Sequence, residues 1–187
     1  MQIISSWPVG GKRLELVQGD ITRFKAGAIV NAANSRLAGG GGVDGAIHAA
    51  AGKQLSAACS RWIAVHGSLP AGQAMITDAF NLPAKYIIHT VGPIWQGGNN
   101  NEHKTLRNAY NACLALCDQN EIHHIAFPAI SCGVYGFPVE EAAPLALQCT
   151  IDNLQQAGVP SKISFVLYNK PSCKKWLTAA RDVSELS

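Results

Sequence analysis

The chain has 187 residues, the length of one ordinary domain, and a formal net charge of +3. Hydrophobic residues make up 48% of it and charged residues 14%, a balance that excludes a disordered chain and predicts one well-covered core. The 15 lysines and arginines are scattered rather than clustered, so we do not expect nucleic acid to be a partner. We expect residues 1–187 to form a single domain.

Cysteine usage and apolar content indicate the compartment. The six cysteines include no C-x-x-C pair and no companion histidine at zinc spacing, so we expect no metal site. Most of them lie among alanines and leucines, where a cysteine behaves as a small hydrophobic residue, which is typical of reduced thiols. The first eleven residues lack the features of a signal peptide, and no stretch approaches the roughly 20 apolar residues of a membrane span. These features predict a cytoplasmic protein with no membrane partner.

Short β-branched runs alternate with longer stretches of helical period. The runs predicted as buried strands, because they are short and apolar on both faces, are residues 14–18, 28–31, 74–77, 86–91, 125–127 and 163–167. Apolar residues at helical spacing predict helices over residues 102–120 and 139–157. This alternation predicts an α/β fold with a largely parallel sheet, in which ligands bind beyond the carboxyl ends of the strands.

The most unusual segment is the sequence N-A-A-N at residues 31–34, followed by four glycines at residues 39–42. Consecutive glycines are costly in backbone entropy, and they make sense where the main chain must approach a ligand closely. A helix that begins near Asp44 would add free amides and the positive end of its dipole, which suits a phosphate group. A flexible surface loop is the alternative.

Gly40, Gly42 and Gly45 also satisfy G-x-G-x-x-G, the dinucleotide-binding fingerprint, which alone is a weak signal. In a Rossmann fold the glycines follow the strand directly, whereas residues 32–38 intervene here. No acidic residue between Asp44 and Asp78 is available to hold the ribose. A P-loop is excluded because the lysine and hydroxyl residue that it needs do not follow these glycines.

Asp44 and His48 are four residues apart, so on a helix they share one face. A carboxylate beside an imidazole can orient or deprotonate a water molecule. Two alternatives remain open, which are a packed histidine beneath the loop for His48 and the cap of the helix for Asp44.

Two further loops carry polar or aromatic residues after a predicted strand. Residues 131–138, S-C-G-V-Y-G-F-P, combine glycines and amides with Tyr135 and Phe137, which we expect to serve as flat surfaces for a ribose. Asp20, at the end of the first predicted strand, could accept a hydrogen bond from an exocyclic amine such as that of adenine. A turn or cap role is the alternative for Asp20.

Together the motifs at residues 19–22, 31–34, 39–48, 89–93 and 131–138 resemble the macrodomain family. More narrowly, they resemble its branch that deacetylates O-acetyl-ADP-ribose and removes mono-ADP-ribose from acidic side chains. The resemblance implies a three-layer α/β/α fold with a mixed, mostly parallel central sheet and no metal or other cofactor. It implies ADP-ribose, its esters and ADP-ribosylated proteins as partners. Residues 1–11 have no evident family counterpart and are expected to be an N-terminal extension.

The resemblance also implies which residues hold the ligand. Asp20 would bind the adenine amine, the Ile21 amide would assist, and Tyr168 would lie beside the adenine. The other implied contacts, most of them to the diphosphate and the distal ribose, are Asn31, Asn34, Gly41, Gly42, Val43, Asp44, Ser131, Cys132, Gly133, Val134 and Tyr135. The family often has threonine or serine at the position of Cys132, and we expect the loop amides to make this thiol reactive although burial would oppose that effect.

For catalysis, the resemblance implies that Asp44, helped by Tyr135 or His48, positions the attacking water while Asn34 holds the distal ribose. The main alternative function is a reader that binds ADP-ribose without turning it over. A reader needs the pocket but no carboxylate beside the scissile ester. An RNA-binding macrodomain is a third alternative, and the sparse charge argues against it.

Overall fold

The computed structural model describes residues 1–183, which form an alternating arrangement of strands and helices. The strands are β1 (Gln2–Val9), β2 (Lys12–Gln18), β3 (Ala28–Ala32), β4 (Ala74–Asp78), β5 (Tyr86–Thr90), β6 (His124–Phe127) and β7 (Lys162–Leu167). The helices are α1 (Gly42–Ala51), α2 (Lys53–His66), α3 (Glu102–Gln119), α4 (Val139–Leu154) and α5 (Lys170–Arg181). A single 3-10 turn, Ile21–Arg23, follows β2.

The strands form one sheet in the order β1-β2-β7-β6-β3-β5-β4. The five inner strands run parallel to one another, in the order β2, β7, β6, β3 and β5. The edge strands β1 and β4 each pair antiparallel with the strand beside them. This confirms the expected mixed, mostly parallel sheet. Because the inner strands all end at the same edge of the sheet, the loops that follow them converge there.

Helices cover both faces of the sheet and produce two apolar cores. Strand β3 shows the alternation, since Ala28 and Val30 pack into the core beneath α3, α4 and α5, and Ile29 packs into the core beneath α1 and α2. All three side chains are fully buried. The molecule is therefore the three-layer α/β/α structure that was expected.

Residues 1–11, which we expected to be an N-terminal extension, contribute to the main sheet. Gln2–Val9 is an edge strand paired along its length with β2. Gly10 and Gly11, with φ of 57° and 77°, form the tight turn between the two strands. Along most of β1 the side chains are exposed or half-buried, as is usual at a sheet edge, so its apolar signal is weak.

Two of the helices match helices that the sequence predicts. The helix expected over residues 102–120 is α3, and the one expected over 139–157 is α4, which ends at Leu154. In the part of the chain that the structure describes, no helix is both long and apolar enough to cross a membrane. All six cysteines are free, and Cys132 alone among them is half-buried rather than buried.

Candidate active site

A cavity of about 790 Å³ opens at the edge where the parallel strands end. Its walls are the loops that follow β2, β3, β6 and β7 together with the start of α1; the main lining segments are residues 19–21, 32–34, 40–44, 128–129, 131–135 and 166–169. The volume falls in the range of about 300–1,000 Å³ that is usual for small-molecule sites. The loops that the sequence singled out therefore meet at one place.

The glycine run places the first turn of α1 against the cavity. Gly41 caps the helix, and Gly42 begins it with a φ of 62°, a conformation that favours glycine. The first amides of a helix have no acceptor within the helix, and the dipole adds positive potential. A side chain added at Gly41 would meet no neighbouring atom within 4 Å, so glycine there keeps space open rather than satisfying packing. This wall of the cavity suits a phosphate group.

Gly45 sets the position of the loop against α1. A Cβ atom at Gly45 would overlap the carbonyl oxygen of Gly40, so only glycine allows this close approach. Asp44 lies one residue before it, in the first helical turn, two residues after the first residue of α1. The helix cap is Gly41, and the alternative that Asp44 is the cap is therefore wrong.

Two asparagine side chains hold the Asp44 carboxylate. Its Oδ1 accepts a hydrogen bond of 2.8 Å from Nδ2 of Asn31, and its Oδ2 accepts one of 3.3 Å from Nδ2 of Asn34. Asn34 also donates to the carbonyl oxygen of Gly39 at 2.8 Å, which ties the carboxylate to the glycine loop. Asp44 is 5% exposed and lines the cavity. It is a held, nearly buried carboxylate with access to the ligand space.

Asn31 and His48 lie behind Asp44 and do not form part of the cavity lining. Asn31 is fully buried, and its contact with the site is through the Asp44 carboxylate. The His48 side chain is 10% exposed, with its Nε2 3.5 Å from Oδ1 of Asp44 and its Nδ1 3.3 Å from Oγ of Ser56. Within residues 1–183, the His48 Nε2 atom has no hydrogen-bond partner. Both side chains contact Asp44, which does line the cavity.

Tyr135 lies on the loop over residues 131–138, close enough to Asp44 to feel the charge of that carboxylate. The tyrosine lines the cavity, and its backbone is fixed by a 2.8 Å hydrogen bond from the Trp95 amide to its carbonyl oxygen. Burial raises the pKa of the Tyr135 hydroxyl, and the negative charge of Asp44 raises it further. The hydroxyl therefore stays protonated at neutral pH and can donate a hydrogen bond next to the carboxylate.

Two residues of the loop over residues 131–138, Phe137 and Cys132, differ from the expectations of the sequence analysis. Phe137 does not offer a surface to a ribose, because it is 2% exposed and packs in the core with its ring centre 4.5 Å from that of Trp95. Burial, together with the nearby Glu140, raises the pKa of the Cys132 thiol to about 12. The expectation that this thiol is reactive is therefore wrong. Desolvation outweighs the field of the loop amides at this position. Cys132 still lines the cavity.

Asp20 and Tyr168 lie together at the other end of the cavity. Oδ1 of Asp20 accepts from the amide and the hydroxyl of Thr22, at 2.9 and 2.7 Å, and so caps the 3-10 turn. Its Oδ2 lies 3.9 Å from Nε of Arg23. Tyr168 follows β7 and is 79% exposed. The cap role uses Oδ1 of Asp20 and is compatible with the position of this residue in the cavity lining.

The cavity collects the other residues that the sequence singled out for ligand binding. They are Asp20, Ile21, Asn34, Gly41, Gly42, Val43, Asp44, Ser131, Cys132, Gly133, Val134, Tyr135 and Tyr168. The cavity is also lined by Gly92, after β5, and by Asn169 and Ser172, at the start of α5, to which the sequence analysis assigned no ligand contact. The sequence signal that could have identified these three residues is their position just after parallel strands. Within residues 1–183, no group of three or more His, Cys, Asp or Glu side chains is placed to hold a metal ion.

Comparisons with known proteins agree on one family. A model of the Macro domain matches residues 30–146. A Salmonella gallinarum protein named O-acetyl-ADP-ribose deacetylase is 48% identical over 162 residues, which cover 87% of this chain and 90% of that protein.

Solved structures give the same result. A mutant of the Oceanobacillus iheyensis macrodomain with ADPR has a TM-score of 0.91 and 39% identity, and the match covers 95% of this chain and 97% of that one. A Trypanosoma brucei macrodomain in complex with ADP-ribose has a TM-score of 0.81 and 35% identity, and covers 88% and 68% of the two chains. The chain belongs to the Macro domain family.

Proposed function

We propose that this protein is a hydrolase that binds ADP-ribose and cleaves an ester at its distal ribose, converting O-acetyl-ADP-ribose and water into ADP-ribose and acetate. The observation that carries the proposal is Asp44, a carboxylate that is 5% exposed in the cavity wall and held by two amides beside a phosphate-binding helix start. A negative group there opposes diphosphate binding, so chemistry accounts for its presence better than binding does. The deacetylase name of a relative at 48% identity supports the same activity.

In the proposed complex, the two ends of the cavity bind different parts of the ligand. Asp20 and Tyr168 bind the adenine, with an amine of the base donating to Oδ2 of Asp20, the oxygen that does not cap the turn. The start of α1 and the loop over residues 131–135 hold the diphosphate through backbone amides. This arrangement leaves the distal ribose and its ester next to Asp44 and Tyr135.

In the proposed reaction, Asp44 orients a water molecule toward the acyl carbon and takes up a proton as the water attacks. The bond between the acyl carbon and the ribose oxygen then breaks, the ribose oxygen takes the proton that Asp44 had accepted, and the acetic acid formed loses its proton to solvent to give acetate. Tyr135 keeps its proton, so its hydroxyl donates to the developing charge rather than acting as a base. Binding of the ADP portion supplies the positioning.

The same chemistry extends to protein substrates. An ADP-ribosyl ester of a glutamate or aspartate side chain contains the same kind of acyl–oxygen bond, so we propose mono-ADP-ribose removal from acidic side chains as a second activity. The scattered basic residues favour protein over nucleic acid as the modified partner. We place the activity in the cytoplasm, where the six free cysteines would stay reduced.

The test compares initial rates of the wild-type protein on O-acetyl-ADP-ribose and on a glutamyl-ADP-ribosylated protein. We expect saturable acetate release from the first and ADP-ribose release from the second. A simple acetate ester without the ADP portion is the control and should react far more slowly, because nothing fixes it in the cavity. Tight ADP-ribose binding by calorimetry with no acetate release would instead identify a reader.

A further inference from the structure

We propose that His89 is a positioning residue for this reaction: it accepts a hydrogen bond from Asn31 and thereby aims that amide at the Asp44 carboxylate. The inference deepens the proposed function and rests on it. His89 lies outside the cavity lining, and it would act on the ligand only through Asn31 and Asp44.

The pairing of two strands brings His89 to this position. Strands β3 and β5 are parallel neighbours, and Asn31 lies directly opposite His89 in their register. Ile29 and Ile87, two residues earlier on each strand, pack into the core beneath α1 and α2. Because side chains alternate along a strand, Asn31 and His89 face the same helices. Both are fully buried.

The hydrogen bonds form a continuous chain from β4 to the site. Oγ1 of Thr77 lies 3.1 Å from Nε2 of His89, and Nδ1 of His89 lies 3.1 Å from Nδ2 of Asn31. The same Asn31 nitrogen donates to Oδ1 of Asp44 at 2.8 Å. An amide nitrogen carries two hydrogens, so it can make both contacts at once.

This chain fixes the tautomer of His89. The Asn31 nitrogen is the donor to Asp44, since a rotated amide would place its oxygen against a carboxylate oxygen. The second hydrogen of that nitrogen then requires an unprotonated Nδ1 on His89, so the ring proton lies on Nε2 and is donated to Thr77. Each member of the chain thereby restricts the orientation of the next.

The charge state of His89 supports this assignment. Burial, with a smaller contribution from the nearby His48, lowers the pKa of His89 to about 3. The groups that contact His89 are Asn31 on β3, Thr77 on β4 and His48 on α1. His89 therefore remains a neutral acceptor throughout the pH range in which an ester hydrolase works.

The consequence for the reaction is the direction of the carboxylate. Asn31 holds Oδ1 of Asp44 at 2.8 Å, whereas Asn34 holds Oδ2 at the longer distance of 3.3 Å, so Asn31 makes the closer restraint. If Asn31 is free to rotate, Asp44 can turn away from the attacking water. Displacements of about 1 Å at a reacting group can cost on the order of 100-fold in rate.

The experiment replaces His89 in two ways. His89→Leu removes the acceptor but keeps most of the volume, and His89→Asn places an oxygen where Nδ1 stood. We expect His89→Leu to lower kcat on O-acetyl-ADP-ribose by about 10–100-fold, with KM and the ADP-ribose Kd within about 3-fold of wild type. His89→Asn should recover most of the lost kcat. His124→Leu is the control, since it removes a half-buried, hydrogen-bonded histidine at the amino-terminal end of β6 and should leave kcat unchanged.

Three results would overturn the inference. Wild-type kcat in His89→Leu, or equal losses in His89→Leu and His89→Asn, would mean that the hydrogen bond does not matter. A proton on Nδ1 of His89, detected by nitrogen NMR of the wild-type ring, would contradict the tautomer even if a variant fails to fold.

Failure of the inference is distinguishable from failure of the proposed function. Adding His89→Leu to Asp44→Asn should change kcat little, because His89 acts through that carboxylate. Normal kcat in Asp44→Asn would remove the proposed catalytic role of Asp44. Normal kcat in His89→Leu together with a slow Asp44→Asn would remove only the role of His89.

Discussion

Replacing Asp44 by asparagine is expected to lower kcat for hydrolysis of O-acetyl-ADP-ribose by about 10²–10⁴-fold, the usual worth of a positioned acid–base group. The substitution keeps the shape of a side chain that is 5% exposed and held by two amides, and it removes the charge that orients the water. Binding of the ADP-ribose product should change far less, because a carboxylate near a diphosphate contributes little attraction. Steady-state kinetics and calorimetry measure the two quantities.

The control for this substitution is Asp152→Asn on the exposed side of α4, which removes one carboxylate elsewhere on the surface. It should leave both kcat and product affinity at wild-type values. Equal losses of kcat and product affinity in Asp44→Asn would contradict the catalytic role, because they would mean that the substitution disturbs the pocket as a whole.

Replacing Asp20 by alanine should weaken ADP-ribose binding by about 1.5–3 kcal/mol, since a charge-assisted hydrogen bond to the adenine amine is lost. Oδ1 of Asp20 accepts two hydrogen bonds from Thr22, whereas Oδ2 has a longer contact, 3.9 Å, with Nε of Arg23. The ligand contact therefore falls to Oδ2. Titration calorimetry with ADP-ribose measures the loss.

Asp20→Asn separates the two roles of this side chain. It keeps an oxygen that can cap the turn at Thr22, but it lacks the negative charge. We expect its affinity to lie between those of wild type and Asp20→Ala, with kcat at saturating substrate close to wild type in all three. Unchanged affinity in Asp20→Ala would remove Asp20 from the ligand site.

The inner strands were predictable because burial on both faces leaves a strong local signal. The runs that became β3 and β7 are short and mostly apolar, and their residues are largely buried. Strand β1 was missed because one face is exposed, although Gly10 and Gly11 are typical of a two-residue hairpin turn. Helices α2 and α5 carry mixed surfaces and were not predicted.

The cavity residues were predictable from motifs, but their division into lining and supporting side chains was not. Asn31 and Asn34 look alike in the sequence, yet only Asn34 reaches the cavity lining, because Asn31 is directed into the sheet face beneath α1. The contact between Asn31 and His89 depends on strand register, which joins residues 58 positions apart. No local pattern encodes such a contact.

Burial explains why two residues in the loop over residues 131–138 were assigned wrong roles from the sequence. Phe137 and Cys132 both follow a strand next to glycines, which made exposed roles plausible. Phe137 instead fills the core against Trp95, and desolvation raises the pKa of the Cys132 thiol. The local sequence does not show how deeply a loop side chain is packed.

The central claim is that water held by Asp44 attacks the acyl carbon of an ADP-ribose ester, and a single-turnover hydrolysis of O-acetyl-ADP-ribose in oxygen-18 water tests it most directly. With enzyme in excess, the account predicts that the heavy oxygen appears in the acetate and that the rate of its appearance falls in Asp44→Asn by the same factor as kcat. Heavy oxygen in the ADP-ribose would contradict the account, because it would mean that the bond on the ribose side of the ester oxygen is the one that breaks.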